Sequence, residues 1–589
     1  MIGSLFCWIS RRRRAPGCTL AFAMTGSIAC LGTCMIVLSL SGEAQAVNDE
    51  WKTKAQAFVN RHEQQVRPLE IAVARTWWDA NTTGKDEDYQ RKVEAETKLD
   101  AALSDATSFA ELKALETASQ QTPADPRDML RRQVHLLYLQ YLGKQVDPAL
   151  LARMTSIANG IEQRFNVYRA RVGEEELTDS QVREILKNST DSARREAVWN
   201  ASKQVGAAIE TDIRDLVRLR NEAASKLGFS SYHAMMLALN EQDPREVLRL
   251  FDELDELTRE PFRQAKSRID AFLAKRYGVA VDQLRPWHYQ DPFFQEAPDT
   301  SAADLDQVFA QVDIVGVCRR FYEGIGLPID DVIERSDLYE KPGKSPHAFC
   351  TDIDRVGDVR VLANIVQNEY WMTTMLHELG HAVYSSKFIP DRLPYVLRTN
   401  SHILTTEGIA MMFERLASDS RWLAAMGVQV PDPQAYDAAA ATKRTYRLLV
   451  FSRWCQVMFR FEMGMYENPG QDLNRLWWDL VRKYQLVEPP ADRNAPDYAS
   501  KIHVVSAPCY YHNYMMGELF ACQLHHALAR EVLHSDNPTK AIYHDNREVG
   551  KFLIDRLFSQ GTLLPWNEAT RHATGADLNA RAFATDFQQ

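Results

Sequence analysis

The sequence predicts a mainly α-helical protein, and three observations support this fold class. Apolar residues recur at three- and four-residue spacing through most of the chain, as on the buried face of an amphipathic helix. Only one short stretch shows the pattern of paired strands. The 589 residues contain no internal repeat and no long polar linker. We therefore expect one large helical unit after the N-terminal segment.

The N-terminal segment, 1–46, has the three-part pattern of a secretory signal peptide. Basic residues at Arg11–Arg14 precede an apolar stretch from about Ala15 to Leu40, and the segment ends in Ala-Gln-Ala. This order predicts cleavage after Ala46 and a secreted or periplasmic mature domain spanning 47–589. Because the apolar stretch is long for a signal, an uncleaved membrane anchor is the alternative.

A long helical scaffold follows the signal. Charges three and four residues apart predict helix from Asn48 to about Leu115, and a proline-containing break covers 121–127. Helical spacing resumes from Thr178 through Leu227. An Asp-Pro pair at 243–244 predicts the cap and first turn of a helix that runs to about Tyr277.

One stretch predicts a small β-hairpin. His347–Ile353 and Val359–Ile365 carry β-forming residues on either side of a turn at Arg355–Asp358. From the residues alone, this is a single hairpin set among helices.

The charge balance excludes one class of partner. There are 69 Lys and Arg residues against 79 Asp and Glu, which gives a formal net charge of −10. Binding to nucleic acid needs a basic face that displaces counterions, so no nucleic-acid partner is expected.

The first chemical motif is His377-Glu-Leu-Gly-His381. On a helix the two histidines stand one turn apart on one face, so both can bind a single zinc ion. Glu378 is then placed to take a proton from zinc-bound water, which would attack a carbonyl. Gly380 leaves room for a close backbone approach. The alternative is a pair of surface histidines that bind no metal.

Zinc still lacks a third protein ligand, and three glutamates are candidates. Glu369 lies two turns before His377 and is too far along the helix axis. Glu407 follows a possible cap at Thr405–Thr406 and opens a helical run, so we assign it as the ligand. Glu414, two turns later on the same face, would orient one of the histidines. Its alternative role is that of an ordinary solvated charge.

The third chemical segment is Lys501–Tyr514, which is rich in aromatic and basic residues. Peptide hydrolysis needs donors aimed at the oxyanion that forms when water attacks. A phenol from Tyr511 or Tyr514 and the imidazole of His503 would serve. An aromatic cluster in the core is the alternative interpretation.

Together these residues resemble the angiotensin-converting enzyme, or peptidyl-dipeptidase A, family. The resemblance covers most of the mature chain and is strongest from about Leu338 onwards. Four stretches carry it besides the zinc motif: Leu338–Pro342, Leu393–Arg398 before the glutamate ligand, Trp477–Gln485, and Lys501-x-His503 leading to a tyrosine pair.

The resemblance implies a large two-lobed helical metallopeptidase with a deep central channel, a small β-hairpin near the active site and one zinc ion. It also assigns roles to eight residues: zinc ligands His377, His381 and Glu407, base and acid Glu378, transition-state donors His503 and Tyr514, and carboxylate-binding Lys501 and Tyr511. A cation fixed at the substrate's C-terminus would account for release of dipeptides.

The chain departs from this family at several positions. Thr351 stands where the family usually has a histidine, and the tyrosine pair is one residue further from Lys501. Val481 and Asn513 occupy the positions of chloride-binding arginines, so chloride activation is not expected. The position of Glu414, the Tyr-Tyr-x-x-Tyr pattern and an Arg-Pro-Trp at 285–287 are similar to the thimet oligopeptidase and oligoendopeptidase relatives.

The sequence thus predicts a secreted zinc metallopeptidase that acts on short peptides and most readily releases C-terminal dipeptides. Two alternatives remain: an oligoendopeptidase that cuts internally, and a catalytically silent peptide-binding protein on the same fold. Peptides are the expected partners. Stable membrane association after signal cleavage is not expected, and the oligomeric state is left open.

Overall fold

The structure, a computed structural model, describes residues 49–121, 125, 127–300 and 305–587. The predicted signal peptide and its cleavage site lie outside the described residues. The described residues from Ala55 onwards form one compact unit. Within the described part of the chain, no helix has both the length and the apolar composition that crossing a membrane requires.

Helices make up most of the described chain, which confirms the mainly α-helical prediction. They are α1 (49–65), α2 (Arg67–Thr83), α3 (Asp86–Leu103), α4 (Ala106–Gln120), α5 (Met129–Leu142), α6 (Pro148–Val167), α7 (Asp179–Asn188), α8 (Ser192–Lys226), α9 (Tyr232–Leu239), α10 (Pro244–Tyr277), α11 (Ile314–Gly324), α12 (Asp330–Arg335), α13 (Glu369–Val383), α14 (Ile403–Glu414), α15 (Ser420–Ala425), α16 (Pro433–Glu467), α17 (Leu473–Leu480), α18 (His503–Ser506), α19 (His512–Glu531), α20 (Arg547–Arg556), α21 (Trp566–Thr574) and α22 (Arg581–Thr585).

Two helix boundaries show how a capping side chain decides where a helix begins. Asp243 caps α10 by accepting a hydrogen bond from the backbone N–H of Arg245 at 2.7 Å, as the Asp-Pro pair predicts. The helical region 178–227 is divided into α7 and α8. The division arises because the Asp191 side chain accepts from the N–H of Ala193 and starts a new helix.

The predicted hairpin is confirmed. Strands β3 (Phe349–Asp352) and β4 (Val359–Leu362) pair antiparallel. Asp354 shapes the turn, because its Oδ1 accepts from the N–H groups of Val356 and Asp358. A further hairpin, β1 (Ala170–Val172) with β2 (Glu175–Leu177), was not predicted. Its three-residue strands are too short for a two-residue alternation to be recognised.

Three helices form the support of the site, with α14 packed between α13 and α19. Glycines allow this close packing. A side-chain carbon at Gly380 of α13 would lie 2.7 Å from the Ala410 Cα atom of α14. On the opposite side, a carbon at Gly517 of α19 would lie 3.0 Å from Glu407 Cβ. The expected role of Gly380 in close backbone approach is confirmed, and Gly517 has the same role against α19.

Candidate active site

Helix α13 presents both histidines of the motif on one face. Asn368 caps the helix by accepting from the N–H of Trp371 at 2.9 Å. The apolar residues Met375 and Leu379 are fully buried, so the opposite helix face is fixed in the core. His377 and His381 therefore point away from that face, with side chains less than one-fifth exposed.

Helix α14 brings Glu407 to the histidines. The helix begins at Ile403, earlier than the predicted cap at Thr405–Thr406. The reason is that the His402 side chain accepts from the N–H of Leu404 at 3.1 Å and caps the helix itself. Glu407 thus lies one turn into the helix, where packing against α19 fixes its Cβ atom.

The three predicted ligands form a cluster of the size that zinc needs. Nε2 of His377 lies 3.2 Å from Nε2 of His381 and 3.6 Å from Oε2 of Glu407. The distance from His381 Nε2 to the same oxygen is 4.0 Å. Tetrahedral ligands with zinc bonds of about 2.0–2.1 Å stand roughly 3.4 Å apart. The residues therefore fit one zinc ion.

The remaining imidazole nitrogens have partners that orient the rings. His377 Nδ1 lies 2.8 Å from Glu414 Oε2, and His381 Nδ1 lies 2.8 Å from Thr406 Oγ1. Partners of this kind fix the tautomer and direct Nε2 at the metal. Burial tends to raise the pKa of Glu414, but the His377 hydrogen bond and the Arg447 charge lower it to about 2. Glu414 is thus an ionised acceptor rather than a solvated charge.

Glu378 lies beside the cluster in a buried position, with 8% of its surface exposed. Burial raises the pKa of its carboxyl to about 7; the His377 charge opposes this, and the Glu407 charge adds to it. A divalent cation bound nearby would favour the ionised form. A carboxylate poised near neutrality is suited to accept and return a proton.

The cluster opens into a cavity of about 390 Å³. Strand β3 forms one wall with Phe349, Cys350 and Asp352, and Glu378 lies on the cavity surface. The hairpin is therefore at the active site, as expected from the sequence. Thr351 belongs to the same strand.

Lys501 and Tyr511 meet at a residue that the sequence did not point to. The Lys501 ammonium and the Tyr511 hydroxyl both donate to Oε1 of Gln295, the latter at 3.5 Å. Burial lowers the pKa of Lys501 to about 8, with the Asp291 charge opposing. This contact places Tyr511, rather than Tyr510, beside Lys501.

Tyr514 links that group to the metal cluster. Its ring centroid is 5.6 Å from that of Tyr511 and 5.1 Å from that of Tyr510. Burial raises the pKa of Tyr514, and the charge of Glu407 raises it further. The pKa of the Tyr510 phenol is raised by the same two causes. Tyr510 and Tyr514 thus both lie within electrostatic reach of the third metal ligand.

His503 makes no direct polar contact with the candidate metal cluster among the described residues. Its ring centroid lies 5.3 Å from that of Tyr511, and its buried Nδ1 atom has no hydrogen-bond partner within the part of the chain that the structure describes. Among the described residues, no hydrogen bond or ion pair joins it to the metal cluster. His503 and Lys501 line a separate cavity of about 140 Å³. The structure therefore groups His503 with the carboxylate-binding candidates.

Three contributing residues could not be recognised as such in the sequence. Gln295 is 206 positions before Lys501 and lies in an irregular segment. Arg447 reaches Glu414 from α16, 33 residues later. Thr406 suggested only a helix cap. None of them belongs to a local pattern, since each acts through a contact made by folding.

Comparison with known protein families gives a match that covers nearly the whole described chain. A sequence model described as angiotensin-converting enzyme matches residues 49–589. The chain belongs to the angiotensin-converting enzyme family. The resemblance inferred from the motifs is thereby confirmed. Members of the angiotensin-converting enzyme family are zinc metallopeptidases with one zinc ion, and His377, His381 and Glu407 are the residues of this chain that could hold it.

The similarity to individual relatives is low. Angiotensin-converting enzyme of Mesocricetus auratus is 25% identical over 431 residues, which cover 66% of this chain and 32% of the relative. Angiotensin-converting enzyme-like protein Ace3 of Mus musculus is 22% identical over 447 residues, 69% of this chain and 59% of the relative. The enzyme of Theromyzon tessulatum is 21% identical over 430 residues, with 68% and 69% covered. The chain spans about a third of the first relative and three-fifths of the second.

Proposed function

We propose that this member of the angiotensin-converting enzyme family is a zinc peptidase that releases dipeptides from the C-terminus of short peptides. The observation that carries the proposal is the His377–His381–Glu407 cluster with Glu378 beside it on one cavity. Family membership supports peptide hydrolysis as the reaction class. We further propose that the mature domain spans 47–589 and is secreted or periplasmic, on the signal pattern of residues 1–46.

Zinc bound by the cluster would supply Lewis acidity and lower the pKa of water. Glu378 accepts the proton of the attacking water and returns it to the leaving amine, because its carboxylate lies beside the two histidines on the same cavity. Glu414 and Thr406 hold the two imidazoles in place. Tyr514 donates to the oxyanion that develops on the substrate carbonyl. His503, which lines the cavity of Lys501, would contact the C-terminal part of the substrate instead.

The position of cleavage follows from the group around Lys501. Its ammonium, with the Tyr511 hydroxyl and the Gln295 amide, would bind the substrate's C-terminal carboxylate. The rings of Tyr511 and Tyr514 are in contact, and the charge of Glu407 raises the pKa of Tyr514. The two tyrosines therefore connect the proposed carboxylate site to the candidate ligand Glu407. A fixed distance from carboxylate to metal selects the peptide bond that is cut.

Mass spectrometry of peptide digests tests the proposal. We expect wild-type protein to shorten peptides by two residues from the C-terminus, and Glu378→Ala to leave them intact. Glu369→Ala, on the same helix but paired with Lys443, is the matched control and should digest normally.

C-terminal amidation of the peptide should abolish cleavage, because it removes the carboxylate that the Lys501 ammonium would bind. Equal turnover of amidated and free peptides would instead favour an internally cutting oligopeptidase. Zinc-loaded wild-type protein that releases no fragment would indicate a silent peptide-binding protein.

A further inference from the structure

Helix α16 places one cation against the carboxylate that orients His377. Nη2 of Arg447 lies 3.2 Å from Oε1 of Glu414 and 3.8 Å from Oε1 of Glu518. Glu518 belongs to α19 and is 7% exposed. A partly buried carboxylate, Glu414, and a buried one, Glu518, therefore share the guanidinium of Arg447, which offsets their mutual repulsion.

The two oxygens of Glu414 have different partners. Oε2 accepts from His377 at 2.8 Å, while Oε1 accepts from Arg447. A carboxylate bonded at both oxygens cannot rotate about its last side-chain bond without losing a hydrogen bond. If Arg447 were removed, only the imidazole would hold Glu414, and the repulsion from Glu518 would be opposed less.

We propose that Arg447 is a positioning residue for the zinc site, acting on His377 through Glu414. The inference rests on the proposed metal site, and it concerns zinc affinity rather than the reaction. Arg447 does not belong to the ligand cluster, so its effect must pass through the carboxylate. Partners of a ligating histidine typically change metal affinity by about 10–100-fold when they are removed.

The environment of Arg447 makes the substitution practical. Its side chain is 52% exposed and lines a cavity of about 610 Å³ together with Tyr370 and Tyr446. Removing a half-exposed side chain leaves no closed void in the core. Lys443, one turn earlier on the same helix and cavity, is 54% exposed and pairs with Glu369 at 2.6 Å. It provides a matched control that does not touch Glu414.

Zinc affinity, measured by competition with a chromophoric chelator, tests the proposal. We expect Arg447→Met to bind zinc about 10-fold more weakly or worse, Lys443→Met to bind like wild type, and Arg447→Lys to recover part of the loss. The metal-free form of Arg447→Met should still unfold in one cooperative transition, so that the loss of zinc affinity is not a loss of the fold. Equal zinc affinity of Arg447→Met and wild type would overturn the proposal.

A double-mutant cycle separates positioning from a general electrostatic effect. If Arg447 acts through Glu414, adding Arg447→Met to Glu414→Gln should cause no further loss of zinc affinity. If the losses of zinc affinity caused by the two substitutions were fully additive, the proposal would also be overturned. Should Arg447→Met fail to fold, the same cycle with Arg447→Lys gives the answer. Wild-type protein that binds zinc but cleaves no peptide would refute the proposed function and leave this inference standing.

Discussion

At the scale of single residues, each histidine of the candidate metal cluster has an orienting partner at Nδ1. Glu414 and Thr406 occupy the Nδ1 positions, so the Nε2 atoms of His377 and His381 converge on one point with Glu407. Two different partners serve this purpose, a carboxylate and a hydroxyl. A carboxylate makes its imidazole the stronger ligand, so we expect His377 and His381 to differ in their strength as zinc ligands.

Glu378→Gln is the simplest residue-scale prediction. The amide keeps the shape of the side chain but cannot accept a proton, so turnover should fall by about 10²–10⁴-fold. Zinc content should be unchanged, because Glu378 is not a ligand. Peptide turnover and zinc stoichiometry, measured on the same preparation, check both statements. Loss of zinc from this variant would contradict the assignment of Glu378 as base.

A second residue-scale prediction concerns pH and stability at a histidine outside the candidate metal cluster. His135 lies 2.9 Å from Glu116 and 3.3 Å from Glu241. Burial alone would lower its pKa, but the hydrogen bonds to both carboxylates outweigh burial and raise it to about 9 from 6.5. The histidine therefore adds stability that is complete below about pH 6.5 and is lost as the pH rises through about 9.

The variant His135→Gln tests this linkage. Its melting temperature should lie below that of wild type in mildly acidic buffer, and the two should converge above about pH 9. A difference that stays constant from about pH 6 to about pH 10 would show that the charge of His135 contributes nothing.

At the scale of elements, the contact between α13 and α14 depends on the absence of one side chain. Gly380→Ala would place a methyl group 2.7 Å from the Ala410 backbone, so the helices must separate. We expect a loss of about 1–3 kcal/mol in the free energy of unfolding. Gly160→Ala on α6, where nothing lies within 4 Å, is the control and should be neutral or slightly stabilising. Urea denaturation measures both; equal effects would contradict the close-packing argument.

The C-terminal helix is attached by a buried charge. Asp586, directly after α22, pairs with Arg415 at 2.7 Å and with Arg444 at 2.8 Å, and its side chain is 2% exposed. Asp586→Asn would leave Arg415, 9% exposed, without its carboxylate, at a cost of about 3–5 kcal/mol. The exposed pair of Asp577 and Arg571 supplies the control. Asp577→Asn should change the unfolding free energy by less than about 1 kcal/mol.

The same elements show what a sequence can and cannot reveal about this protein. His377, Glu378 and His381 lie within one helical turn, so their chemistry is a local pattern. Glu407 was identified because the zinc site lacked a ligand and a helix offered one. Gln295 and Arg447 act only through contacts between distant segments, and no local periodicity encodes such contacts. The early start of α14 was missed because histidine is an uncommon helix cap.

At the scale of the whole molecule, apolar packing holds together the helices that carry the site, so we predict that they fold without zinc. Helices α13, α14 and α19 are joined by buried apolar residues such as Leu379, Ile409 and Leu519. His377, His381 and Glu407 project from these packed helices and lie close together. Removal of zinc by a chelator should therefore leave the helical circular dichroism unchanged.

Zinc should nevertheless raise the melting temperature, since a ligand that binds only the folded state stabilises it by mass action. At a free concentration about 100 times Kd the gain is about 2.7 kcal/mol. Scanning calorimetry with buffered zinc measures the rise, and Glu407→Gln, which lacks one ligand, should respond much less. If the chelated wild-type protein lost its helical signal, zinc would be part of the folding core. The packing of α14 between its two neighbours would then be a consequence of metal binding, and Gly380→Ala would act mainly on zinc affinity.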